Sequence, residues 1–80
     1  MTKAQKVLQK MRNSARDWRI EEIKTLAERY GMIVRNPRGS HVIFSHPSVT
    51  EILSIPAHKP VKPVYIFKLV EMIDTIENAK

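Results

Sequence analysis

Eighty residues allow one small domain; a chain this short buries only about 60–65% of its unfolded surface, so a core and a deep cofactor cleft cannot both be built. With no cysteine, disulfides, zinc–thiolate sites and a thiol nucleophile are excluded, and no apolar run approaches the ~20 residues of a membrane span or backs the basic N-terminus as in a signal peptide, so a cytoplasmic protein is expected. The net charge of +6 lies wholly in residues 1–40, with ten Lys/Arg against four Asp/Glu, while residues 41–80 hold four of each; this asymmetry points to a polyanion, most often nucleic acid, or to an acidic protein partner.

Residues 3–13 are good helix formers, with Val7, Leu8 and Met11 as a thin apolar stripe among lysines. The segment 1–16 reads equally as a short helix or as a basic arm that orders on a partner. Residues 17–80 then form the domain proper. Asp17 is placed to cap a helix running from Trp18 to Tyr30. Ile20, Ile23, Leu26, Ala27 and Tyr30 follow three-and-four spacing. Glu21 and Glu22 occupy the first turn, where the helix dipole favours acids, and they read as an exposed first turn rather than an acid/base pair. Gly31 is the stop.

Three short extended runs follow. Met32–Asn36 is the first, and Asn36-Pro37-Arg38-Gly39 is a turn. His41–His46 is the second, ended by Pro47. Thr50–Ile55 is the third. Connections of a few residues predict an antiparallel meander. The stretch from Pro56 to Pro63 contains prolines at 56, 60 and 63 and reads as a stiff linker carrying His58, Lys59 and Lys62. Pro63 suits the first turn of a last helix, whose stripe is Ile66, Leu69, Val70, Ile73 and Ile76. Both helices need apolar cover, which one face of a three-stranded sheet provides. The expected fold class is therefore α+β, a two-layer sandwich with the second sheet face open.

Alternation assigns the histidines. Val42, Phe44 and His46 share one strand face, and His41, Ile43 and Ser45 share the other. Phe44 is the best core anchor, so His41 points to the open face, directly after the small residues Gly39 and Ser40. An imidazole there is able to act as a general base, or it is a plain exposed strand residue. His46 falls at the core margin, where a bond to a nearby backbone group is the simplest role. His58, beside Lys59, suits phosphate contact or a solvated loop. Metal binding by the three histidines is disfavoured, because His41 and His46 have opposite parity and no carboxylate stands close by. Neither Ser40 nor Ser45 lies in a Gly-x-Ser-x-Gly elbow. No phosphate-cradling glycine loop is present, and no cofactor is expected. Trp18, Tyr30 and Tyr65 sit in or beside helical stripes, which favours packing over base stacking.

The run Gly39-Ser40-His41, with Phe44 and then His46-Pro47, resembles the most specific motif of the HicA family of type II toxin–antitoxin toxins. A helix ending in glycine, a third strand ending in proline and a loop leading into a last helix carry the resemblance over Trp18–Ile76. The resemblance implies a double-stranded-RNA-binding-domain-like α-β-β-β-α fold. It also implies a small endoribonuclease (an mRNA interferase) whose catalytic histidine matches His41, and a HicB-type antitoxin as partner. RNA contacts are expected from Arg35, Arg38, Gly39, Ser40, His58, Lys59 and Lys62. The N-terminal extension, residues 1–16, and the segment from Lys59 to Asp74 depart from the compact family pattern. A non-catalytic double-stranded-RNA-binding module is the competing reading, and it has no need of His41. A protein-interaction domain that takes no nucleic acid is a third.

Overall fold

The computed structural model describes residues 2–79, apart from the side chains of Pro37 and Arg38. Helix α1 spans Lys3–Asn13 and α2 spans Ile20–Arg29. Strands β1 (Ile33–Arg38), β2 (His41–His46) and β3 (Val49–Pro56) follow, and α3 (Pro63–Asn78) closes the chain.

The N-terminal segment is a helix. Thr2 and Gln5 start it with a capping box: Thr2 Oγ1 accepts from the Gln5 N–H at 3.1 Å, and Gln5 Oε1 accepts from the Thr2 N–H at 2.8 Å. Its apolar stripe then holds it, with Met11 fully buried and Leu8 nearly so in the core shared by all three helices and the sheet. Arg12 reaches across to α3 and grips both carboxylate oxygens of Asp74. That contact raises the proton affinity of the Arg12 guanidinium and lowers that of the Asp74 carboxylate. Burial, and then Glu77, push the neighbouring Tyr30 phenol up.

The boundary of α2 differs from the sequence expectation. Asp17 is not its cap; it stands in the linker at φ +63, a left-handed conformation that Asp tolerates better than most residues. The helix starts two residues further on, at Ile20. Arg19 is the N-cap, and the Glu22 carboxylate accepts the Arg19 backbone N–H at 3.0 Å. The linker needs its bend to seat Trp18, whose indole N–H donates to the Ser14 carbonyl at 2.7 Å. At the other end Gly31 has φ +79. The Gly31 N–H donates to Glu28 O and the Met32 N–H to Ala27 O, which completes a Schellman motif.

The sheet is an antiparallel meander in the order β1-β2-β3. Val34 lies opposite Phe44, and Phe44 opposite Leu53. Val42, Phe44 and Ile55 face the helices and are buried. Ile23, Leu26, Ile66, Leu69, Ile73 and Ile76 complete the core from the helical side. Trp18, Tyr30 and Tyr65 are half-buried against it. Every position expected on the inner stripe of α3 is buried, and Met72 joins them.

One turn is shorter than its sequence suggested. Residues 36–38 belong to β1, and only Gly39 and Ser40 turn. Pro37 is tolerated in the strand because β1 is an edge and the register slips by one residue between Arg35 and Arg38. A bulge on an edge strand is where a residue lacking an N–H does least harm.

Candidate functional site

His41 opens β2. The turn before it is tight, with Gly39 at φ +37 and nothing within 4 Å of where a Cβ would lie. Backbone can therefore be approached closely at this point. The His41 side chain is exposed, and its Nδ1 shares a 3.3 Å hydrogen bond with Ser40 Oγ. The Ser40 carbonyl accepts the Ala57 N–H at 3.0 Å, and His41 sits opposite Pro56 in the register. The tip of the β1–β2 turn is thus stitched to the start of the loop that follows β3.

Ile43, opposite both Arg35 and Ser54, continues the His41 face. Arg35 and Ser54 are exposed, so this is the uncovered side of the sheet. The structure brings together Ser40, His41 and the beginning of the loop, with Arg35 on the same face. Arg38 pairs with His41 through its backbone; its side chain lies outside the described residues. His58 and Lys59 are exposed in the loop, and the His58 N–H donates to Pro56 O at 2.9 Å. Lys62 is exposed at the far end of the loop, where it is the N-cap residue of α3.

His46 is held apart from this group. It is half-buried, its Nδ1 accepts the Ser48 N–H at 3.0 Å, and its Nε2 lies against Gly31. It serves the β2–β3 turn. Among the described residues no three His, Asp or Glu side chains gather as a metal site, and no helix is long and apolar enough to cross a membrane.

Two residues that sequence reasoning left out of the site stand near it. Arg16 and Arg19, in the α1–α2 linker, border the same hollows as Lys59 and Lys62. Their only sequence signal was the positive charge of the first half.

The family model for the HicA toxin of bacterial toxin–antitoxin systems matches residues 20–71. The chain belongs to the HicA toxin family. The match covers α2, the whole sheet, the proline-bearing loop and the first half of α3, and it begins just after the linker. A HicA toxin implies an antitoxin partner. No curated protein and no solved structure matches the chain.

Proposed function

We propose that this HicA toxin is a metal-independent endoribonuclease that cleaves mRNA in the cytoplasm, with His41 as general base, and that a HicB-type antitoxin restrains it. The observation that supports this reading most directly is the exposed His41 imidazole. It stands behind an open glycine turn, on the uncovered sheet face, beside a cationic loop, in a chain of this family.

In the tautomer that donates Nδ1–H to Ser40 Oγ, the Nε2 lone pair is free. It takes the proton of a ribose 2′-OH. The 2′-oxygen attacks the adjacent phosphorus, the bond to the 5′-oxygen breaks, and that oxygen leaves with a proton from solvent or from His58. The products are a 2′,3′-cyclic phosphate and a 5′-OH end. Arg35, Arg38, Lys59 and Lys62 hold the backbone and offset the charge that grows on the phosphoryl oxygens. Gly39 and Ser40 let the strand approach. The reaction as proposed draws on these side chains alone.

The test is cleavage of a long single-stranded RNA, with chelator present, by the wild type and by His41→Ala. His41 is exposed, so the variant keeps the wild-type melting temperature. One positioned imidazole is worth ~10²–10⁴-fold, and cleavage should fall by that factor. A cyclic phosphate on the wild-type product identifies the route. Intact RNA bound equally by both proteins would replace the enzyme with a non-catalytic binding module.

A further inference from the structure

The linker between α1 and α2 and the loop before α3 meet at one corner of the molecule. The Val61 N–H donates to the Trp18 carbonyl at 2.9 Å, which holds the two segments together. Two adjoining shallow hollows share Asp17 and Pro60 there. Arg16 and Lys62 border one, and Arg19 and Lys59 border the other. All four cations are exposed, and among the described residues none is paired with a carboxylate, although Asp17 stands between them. Four cations against one acid, on a backbone already fixed, form a standing positive patch.

The patch adjoins the candidate site. The loop leaves the sheet at Pro56, opposite His41. At ~3.3–3.6 Å per residue, Lys59 lies within about 11 Å of that point along the chain. A polyanion strand lying across His41 is therefore within reach of Lys59, the nearest cation of the corner along the chain. Arg16 and Arg19 precede residue 20, where the family match begins, so the family does not account for them.

We propose that Arg16 and Arg19 bind the phosphate backbone of the RNA whose cleavage is assigned to His41, extending the Lys59–Lys62 loop into one track. This rests on the ribonuclease reading. The contacts are to backbone, so they add affinity and register without sequence preference.

The track is tested by fluorescence anisotropy of a labelled single-stranded RNA across a salt series, in the full chain carrying His41→Ala so that the RNA stays intact. Each single-strand phosphate contact contributes ~0.7 to the slope of log K against log salt. Arg16→Ala with Arg19→Ala should lower that slope by about 1.4 and weaken binding alike for unrelated sequences. Arg16→Lys with Arg19→Lys should restore both. Lys68→Glu on the exposed face of α3 removes the same two charges outside the patch and should leave the slope near that of the parent. An unchanged slope in the alanine pair, or an equal fall in Lys68→Glu, overturns the track while leaving the ribonuclease reading in place. A parent protein that binds no RNA at any salt overturns both.

Discussion

Whether α1 is part of the folding unit or a segment resting on it is decided by Met11→Ala. The Met11 side chain is fully buried between α1 and the other two helices. The substitution deletes Cγ, Sδ and Cε. At ~0.8 kcal/mol per buried methylene-sized group, transfer alone amounts to ~2.4 kcal/mol. The cavity left behind adds to this, so the loss should be ~3 kcal/mol, inside the range of ~2–5 for Met→Ala in cores. A domain of this length has ~4–12 kcal/mol of stability in all. The midpoint of thermal unfolding should drop by ~12–24 °C, at ~4–8 °C per kcal/mol. Urea unfolding followed by far-UV circular dichroism and by Trp18 fluorescence gives the number, and the two probes should coincide. Lys6→Ala, on the exposed side of the same helix, should change stability by less than ~0.5 kcal/mol. A Met11→Ala protein that unfolds at the wild-type urea concentration would refute the shared core and return α1 to the status of an arm.

Gly31→Ala tests the left-handed stop. At φ +79 an L side chain costs ~1–2 kcal/mol, while its Cβ would meet His46 Nε2 at an ordinary 3.6 Å, so the loss in urea unfolding should be that strain and little more; Gly31→Asn should lose less. The Arg12–Asp74 pair should show itself in the acid limb of stability. The Asp74 carboxylate is held below its ordinary range by Arg12, so its contribution is present above about pH 4 and is lost as pH falls through the lower folded-state value. The side chains are 37% and 39% exposed, which limits the effect to ~1 kcal/mol or less. The stability gap between wild type and Asp74→Asn should be constant from about pH 5 upward and close below it; a gap that persists unchanged into acid would rule the ion pair out as its source.

The sequence by itself determined the element order and the two faces of β2. Three-and-four spacing marked α2 and α3, and alternation set Phe44 inward and His41 outward, because these are periodicities of the backbone. Gly31 was legible as a stop, since positive φ is cheap only for glycine. Other features needed the fold. The Thr2–Gln5 cap is a local signature of a helix start, but only the cover given by the rest of the core makes a thin stripe such as Leu8 and Met11 worth ordering. Pro37 marked a turn on the page, yet it is accommodated in β1 because that strand became an edge. Asp17 had the chemistry of a cap, and the seat taken by Trp18 moved the helix start past it. Parity turned His41 outward and the resemblance of Gly39-Ser40-His41 to the family motif marked it as catalytic, whereas its bond to Ser40 and the stitch from Ala57 came from the folded chain. The gathering of Arg16, Arg19, Lys59 and Lys62 has no trace in sequence spacing, because it joins segments some forty residues apart that the fold brings together, with the Val61–Trp18 bond between them.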